Sequence, residues 1–334
     1  MDIERLDPLD LDLDTADQIA NLTNLANQAD GVGLPEQTGP ASLKFLQLQS
    51  EGRPVDALWL ARTPDGRVVG RATMALPHQE NTDTARLRGM VHPEARGQGI
   101  GRSLLEAALD LASESGRKKV YSGAFEGTPG EPALSAMGFT ALGSIDVIRR
   151  LDLHAGPGDR WQRLYDEARA HAADYDLVHL VGPTPPEMLE DLVVLHAAIN
   201  DAPLEDPDME GDAWTAERVT AYDNAMAGRS QTVYRVLARH RPSGEWAGMS
   251  MLCVDEFSPT IAFQEDTSVV RKHRGKRLGL LMKTDMLRWL SAERPEVGAT
   301  DTWNAATNHH MIAVNERLGA TVLARYSNYR MDLA

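Results

Sequence analysis

Two short stretches constrain this 334-residue chain more than anything else in it. In VHPEARGQGIGRSLLEAALDLA, residues 91–112, an apolar strand runs into a turn with glycines at 97, 99 and 101 and then into a long amphipathic helix. In VVRKHRGKRLGLLMKTDMLRWL, residues 269–290, the same strand, basic turn and helix return, with Arg277 in place of the middle glycine. A glycine-rich turn that opens a helix leaves backbone N–H groups pointing outward at the positive end of the helix dipole. Such a site attracts phosphate or pyrophosphate, and Arg96 adds charge to the first turn. A side chain at position 277 is tolerable only if the local backbone avoids positive φ, while Arg274, Lys276 and Arg277 partly compensate by direct phosphate contact.

The nucleotide P-loop is excluded, because no Lys-Ser/Thr pair follows the last glycine. GQGIG also has the wrong spacing for the dinucleotide fingerprint G-x-G-x-x-G. The bland alternative is a structural turn, which three glycines at alternate positions beside an arginine make a poor account.

The elements around each turn come in one order, spaced by 178 residues when Val91 is aligned with Val269, which points to a tandem duplication. The first half has a helix in TADQIANLTNLANQA, capped by Thr15 or Asp14, then a hairpin, VDALWLAR and RVVGRATMAL, around TPDG. TARLRGMV leads into the turn, and KKVYSGAF, a short helix in EPALSAMG and a closing strand pair in FTALGSIDVIRRLDL follow. The second half repeats this with YDLVHLV, helices in PEMLEDLVVLHAAI and TAERVTAYDNAMAG, TVYRVLARH, WAGMSMLCVDE and TIAFQEDTSVV. After its turn and helix come VGATDTWN, a helix in NHHMIAVNERLG, and two strands, ATVLARY and NYRMDL. The expected domains are residues 1–154 and 175–334, with a linker and bracing helix over 155–174.

Composition bounds the function. A net charge of −15, with acids in excess in both halves, argues against a nucleic-acid partner, which needs a basic surface. No apolar run approaches the roughly 20 residues that cross a bilayer, and the acidic start MDIERLDPLDLDLD does not read as an export signal. The single cysteine, Cys253 in MSMLCV, forms no internal disulfide and reads as a packed core thiol, as in a cytoplasmic protein. His309 and His310 lack metal-ligand spacing, and no metal is expected.

V-x-P-x-x-R-G-x-G-I-G running into an apolar helix resembles the acetyl-coenzyme A signature of the GNAT acetyltransferase superfamily, R/Q-x-x-G-x-G/A, here Arg96, Gly97, Gln98, Gly99, Ile100 and Gly101. The resemblance occurs twice and covers nearly the whole chain. It implies an α+β fold of two tandem GNAT-like domains, each a mixed, mostly antiparallel, splayed sheet of about six or seven strands flanked by helices. It further implies that the turn N–H groups hold the pyrophosphate of acetyl-coenzyme A. The pantetheine arm would then pair with Met90 and Val91 in the first half and with Ser268, Val269 and Val270 in the second. The second turn keeps Arg274, Gly275 and Gly279, and the downstream TWNAATNHHMIAVNERLGA resembles the family's T-x-N-x-x-x-N-x-x-M-x-x-x-N-x-x-L-G-F. By that likeness Asn304 and Asn308 would contact substrate or coenzyme.

Acetyl transfer to an amine needs a base, a polarised carbonyl and a leaving thiolate. The second half offers Glu265 and Asp266 before its turn, whereas the first has Leu87 and Arg88 at the aligned positions. Strand alternation sends the two acids to opposite faces, so only one enters the cleft. Asp266 is preferred, with Glu265 and Glu256 as competitors. The tyrosine that many relatives use as thiolate donor is missing, since Asn315 stands there; Tyr326 and Tyr329 are possible substitutes. The acidic NDAPLEDPDMEGD, 200–212, reads as a solvated loop or as a recogniser of a cationic acceptor. The expected protein is therefore an N-acetyltransferase for a small-molecule amine, more active in its carboxy-terminal half, and a monomer or homodimer. A non-catalytic sensor or scaffold that binds acyl-coenzyme A is the alternative.

Overall fold

The computed structural model describes residues 2–155, 159–201, 206 and 208–333. In chain order the first elements are β1 (Asp2–Leu6), α1 (Leu13–Ala29), α2 (Gly39–Gln47), β2 (Ala57–Arg62), β3 (Val68–Ala75), β4 (Thr84–Val91), α3 (Ile100–Glu114), β5 (Lys119–Phe125), α4 (Gly130–Ala136) and β6 (Thr140–Asp152). They are followed by α5 (Arg160–His171), β7 (Tyr175–Val181), α6 (Leu189–Ala197), α7 (Ala216–Gly228), β8 (Gln231–His240), β9 (Trp246–Asp255) and β10 (Ile261–Val269). The last are α8 (Leu278–Glu293), β11 (Ala299–Ala305), α9 (His309–Leu318) and β12 (Thr321–Asp332).

Local chemistry explains most of these bounds and some departures from expectation. The cap of α1 is Asp12, whose carboxylate accepts from the Thr15 N–H at 2.8 Å, rather than Asp14 or Thr15. The α2 helix was not foreseen; Thr38 caps it and Pro40 occupies its first turn. Residues 140–152 and 321–332 each form one long strand instead of a strand pair. Of the expected linker, residues 156–158 lie outside the described residues.

The domains also differ from the expected division at 154 and 175. One unit comprises Met1–Asp146, Leu204–Glu210 and Leu323–Ala334, and the other Val147–Pro203 and Gly211–Val322. The chain thus changes unit inside β6 and again inside β12. Repeat order hid this, because a strand's own sequence does not say which neighbour it will pair with.

Within the first unit the strand order is β1-β2-β3-β4-β5-β12, and within the second it is β6-β11-β10-β9-β8-β7. Parallel pairing joins β4 to β5 and β10 to β11, while β1–β2, β2–β3, β3–β4 and β5–β12 are antiparallel, as are β7–β8, β8–β9 and β9–β10. In the first unit α3 lays Ile100, Leu104, Leu105 and Ala108 on Trp59, Met74, Leu87 and Val120, and α1 buries Ile19 and Leu22 against Leu58, Leu60 and Val68. The second unit repeats this with Leu278, Leu281 and Met286 of α8 against Val236, Ala247 and Leu252, and with Leu192, Leu195 and Val219 against Leu237 and Met249.

The duplication is visible in the register. Gly70 pairs with Val91 and Gly248 pairs with Val269, each exactly one repeat apart. A Cβ on Gly70 would lie 2.9 Å from Ile100, and one on Gly248 3.0 Å from Met282, so both glycines let a helix press onto its sheet.

Because Tyr329 of β12 packs in the first core, and Val147, Ile148 and Leu151 of β6 are buried, a fragment of residues 1–154 lacks a strand and exposes apolar surface. It is expected to stay unfolded by circular dichroism and to gain structure when a peptide of residues 321–334 is added. Cooperative folding of the fragment alone would contradict this division.

Candidate active site

Each unit contains a fork. Parallel pairing of β4 with β5 ends at Arg86↔Tyr121, and that of β10 with β11 ends at Gln264↔Thr302. Beyond those points Leu87–Val91 and Glu265–Val269 run on without a parallel partner toward the two basic turns. Met90 and Val91 remain paired with β3, and Ser268 and Val269 with β9, so their other edges face the opening. The hydroxyl of Ser268 is committed to the Leu195 carbonyl at 2.7 Å, and Val270 sits at the start of the short helical turn before Arg274.

The turns share one backbone shape. Gly97 and Gly99 have φ of 74° and 83°; Gly275 and Arg277 have 79° and 56°. The requirement that Arg277 avoid positive φ is therefore not met: this arginine adopts the left-handed conformation, at a cost of roughly 1–2 kcal/mol. Among the described residues, no backbone carbonyl accepts from the N–H groups of Gly97, Gln98 and Gly99, or of Gly275, Lys276 and Arg277. Each turn is thus a nest of three successive donors at a helix start, continued by Ile100 and Gly101 in one and by Leu278 and Gly279 in the other. A Cβ at Gly97 or Gly99 would meet nothing within 4 Å, so these glycines supply backbone conformation and leave open space above the donors. That chemistry fits the pyrophosphate of a coenzyme.

The arginines expected to hold phosphate do something else. Arg96 donates through Nε to the Val91 carbonyl and grips Asp30 with both terminal nitrogens, at 2.6 and 2.9 Å. Arg274 repeats the arrangement with the Val269 carbonyl at 3.0 Å and Asp201. Both guanidinium groups tie the strand end to a helical segment, and their charge is already paired. Arg277 pairs with Glu167 of α5, which also holds Arg317 at 2.6 Å, so the left-handed residue of the second nest is itself tied to a carboxylate, which a glycine at the same place in the first cannot be.

Glu265 and Asp266 stand one step past the second fork. Gln264 pairs with Leu252 and Thr267 with Ser250, leaving both acids opposite the single residue Met251. This β-bulge breaks the alternation that would have sent them to opposite faces, and the two carboxyls feel one another directly. Glu265 keeps a solvent-open face but is ringed by protein, and the resulting loss of hydration, with the Asp266 charge, pushes its carboxyl up to about 7. Burial, helped by Asp212, pushes Asp266 up to about 6. Glu256 is no competitor, because Arg294 holds it in a two-pronged pair at 2.9 Å and Thr232 donates to it.

At the aligned place the first unit has no bulge: β3 and β4 pair without a break from Gly70↔Val91 to Ala75↔Arg86, which presents Leu87 and Arg88. Its fork is closed by a part of the acidic segment. The Tyr121 hydroxyl donates to Asp206 at 3.0 Å and Arg330 donates at 2.9 Å, leaving Asp206 2 % exposed. Burial opposes its ionisation, but the Asp208 N–H, Tyr121 and Arg330 outweigh that and hold the carboxyl below the ordinary range. Asn81 exchanges two hydrogen bonds with the Glu210 backbone. Of this stretch Asp206 is buried against the first fork, while Asp201, Asp208 and Asp212 are exposed; residues 202–205 and 207 lie outside the described residues.

The remaining candidates divide. Asn304 accepts from the Asn315 amide at 2.7 Å, and Asn308 caps α9 by accepting from the Met311 N–H. Tyr326 and Tyr329 belong to the first unit: Tyr329 is packed in its core, and Tyr326 lies edge-on to Phe125. Cys253 is buried, with its thiol pushed up by burial, in keeping with a core role. Among the described residues no group of His, Cys, Asp and Glu could hold a metal ion.

Gly99→Ala forces a Cβ into the left-handed region and is expected to cost about 1 kcal/mol, with weaker coenzyme A binding by calorimetry. Arg277→Gly removes both the strain and the pairing with Glu167, and should leave the melting temperature nearly unchanged, since glycine's greater freedom in the unfolded chain offsets the gain.

Residues 20–139 match the family model described as Acetyltransferase (GNAT) family. A mycothiol acetyltransferase of Mycobacterium ulcerans (strain Agy99) is 28% identical over 135 residues, 40% of this chain and 38% of that one. Another, of Streptosporangium roseum, is 44% identical over 70 residues, 21% and 20% of the two chains. The matches thus span well under half the length of these curated relatives. Among solved structures, a tandem GNAT protein from the clavulanic acid biosynthesis pathway aligns with a TM-score of 0.77 at 27% identity, covering 99% of this chain and 98% of the other. A GCN5-related N-acetyltransferase from Sphaerobacter thermophilus shares the fold, with a TM-score of 0.70 at 16% identity, covering 99% and 95%. Two nests at two strand forks, one of them inside the matched region, agree with these likenesses: residues 20–139 match the GNAT acetyltransferase family model, and the chain has the fold of a tandem GNAT protein over almost its whole length.

Proposed function

We propose that this protein is an acetyl-coenzyme A-dependent N-acetyltransferase that acylates an amine of a small molecule by direct transfer in a ternary complex, with the proton chemistry in the second unit. The observation that carries this reading is the Glu265–Asp266 bulge, which sets two adjacent carboxyls one step past the fork where a thioester would end. The mycothiol acetyltransferases and the tandem GNAT protein support the reaction class.

The coenzyme, when bound, supplies the activated acyl thioester. The donors of Gly275, Lys276 and Arg277 would hold its pyrophosphate, and the open edge of Ser268 and Val269 its pantetheine arm, as would Gly97–Gly101 with Met90 and Val91 in the first unit. Glu265 takes the proton from the incoming ammonium, since a base with a pKa near 7 is matched to neutral pH. Asp266 and Asp212 draw a cationic acceptor toward it. Arg88 at the aligned place cannot serve as a base, so the first unit holds coenzyme without this chemistry. Among the described residues no helix is long and apolar enough to cross a membrane, and a cytoplasmic setting is part of the proposal.

The pH dependence follows with opposite signs for rate and stability. Glu265 has a folded pKa of about 7, above its ordinary 4.5. Its contribution to stability is therefore full below pH 4.5 and is lost as pH rises toward 7, while the deprotonated base accumulates over the same interval. Thiol release with acetyl-coenzyme A and a panel of amines should rise through pH 7. Glu265→Gln should lower kcat about 10²–10⁴-fold, keep coenzyme binding, and melt higher than the parent at pH 8. Unchanged release in both Glu265→Gln and Asp266→Asn would overturn the assignment. Tight coenzyme binding with no release for any amine would instead favour an acyl-coenzyme A sensor.

A further inference from the structure

The first fork carries two guanidinium groups that the reaction above does not use. Arg71 lies on β3 and Arg88 on β4, and the register Arg71↔Met90 and Thr73↔Arg88 makes them diagonal neighbours on one face of an antiparallel pair. Such positions stand about 7–8 Å apart at the backbone, within the span over which two arginine side chains converge on one anion. The face is the one covered by α1, because Arg71 also pairs with Leu60, and both Leu60 and Met90 pack in the α1 core. Arg88 is exposed and lies two residues past Arg86, the last β4 residue paired with β5.

What sets these two apart is that no described residue supplies a counter-charge. Elsewhere around this fork basic groups are matched: Arg96 with Asp30, Arg330 with Asp206 and Asp208, Lys119 with Asp208. Arg71 and Arg88 have no carboxylate partner among the described residues, and the Arg71 Nε is buried without a hydrogen bond. Burial and the adjacent charge of Arg88 hold the Arg71 guanidinium down to about 10, which still leaves it cationic at neutral pH. Like charges side by side on a sheet are destabilising, so the pair is a standing cost that a bound anion would remove. At the second fork the residues aligned with Arg71 and Arg88 are Met249 and Asp266, so that place carries no guanidinium and has a carboxyl that would repel the same anion.

We propose that Arg71 and Arg88 form a carboxylate-binding site at the first fork. The carboxylate is either the far end of a dicarboxylic acyl chain on a coenzyme held by the first turn, or a free dicarboxylate entering from the α1 face. The first source rests on the reading of Gly97–Gly101 as a coenzyme site; the second does not. Guanidinium–carboxylate recognition is charge-assisted and specific in geometry, and it divides the two forks by charge, an anionic acyl group in one and a cationic acceptor in the other.

Calorimetry on the full chain tests this with acetyl-coenzyme A, succinyl-coenzyme A and succinate. Succinyl-coenzyme A should bind at least about tenfold more tightly than acetyl-coenzyme A, as one added charged hydrogen-bonding pair implies. Arg88→Gln, an exposed change that leaves the core intact, should erase the difference and spare acetyl-coenzyme A binding; Arg71→Met, checked for its melting temperature, should do the same. Binding of succinate alone that Arg88→Gln abolishes would assign the site to a free dicarboxylate. Equal affinity for the two esters, with no Arg88-dependent binding of succinate, overturns the proposal. If no coenzyme ester binds, the coenzyme reading of the turn fails instead, and the succinate measurement alone decides the carboxylate site.

Discussion

Two parallel strands that begin paired and then part are the constraint on which everything else in each unit hangs. Parallel pairing satisfies the backbone of β4 and β5 for three residues and of β10 and β11 for four, after which one edge of β4 and of β10 is left without a strand. Unmet backbone groups are costly unless water or a ligand takes them, so the gap is by its nature a place for something with amides of its own. The helix that follows each strand starts at the mouth of the same gap and adds three more unpaired donors. Arg96 and Arg274 keep the geometry by tying the strand end to a carboxylate on the covering helical layer.

Duplication then let the copies diverge in charge while the backbone stayed the same. An arginine held at φ 56° where its counterpart is a glycine at 83° shows the second nest kept in shape against the preference of its own side chain. A single inserted residue on β10 turned a strand edge into a paired-carboxylate site, and the uninterrupted β4 presents arginine instead. Asp206 reinforces that contrast by bridging Tyr121 and Arg330 at the first fork.

Much of this was legible beforehand, and the parts that were not share a reason. GQGIG and its echo in GKRLG announce a nest because glycine spacing reports backbone conformation directly. Leu104, Leu105 and Ala108 announce the α3 face because burial imposes a period. The bulge at Glu265 and Asp266 left no such mark: QEDTSV reads as a plain strand, and which residue is extra depends on the partner's register. Nothing in RVVGRATMAL singles out Arg71, since only pairing with Leu60 and Met90 places it under α1. The roles of Arg96 and Arg274 were misjudged because Asp30 and Asp201 lie 66 and 73 residues away, and nothing local links them. GPASLKFLQ, between glycine and proline signals, was too short to show its helical period.

The passage of the chain from one unit to the other inside β6, and back inside β12, bears on how the protein comes to be folded. The first unit is translated early but does not acquire its sixth strand until residues 323–332 emerge, some two hundred residues after β5. Pairing across that separation raises contact order and the entropy of loop closure, so folding of the first unit is held back until the second has been made. Until then the outer edge of β5 is an open strand edge, the kind of surface on which partly made chains associate wrongly. Such an arrangement ties the survival of one copy to the completion of the other, which gives a duplicated chain a reason to keep both halves even after their chemistry has diverged.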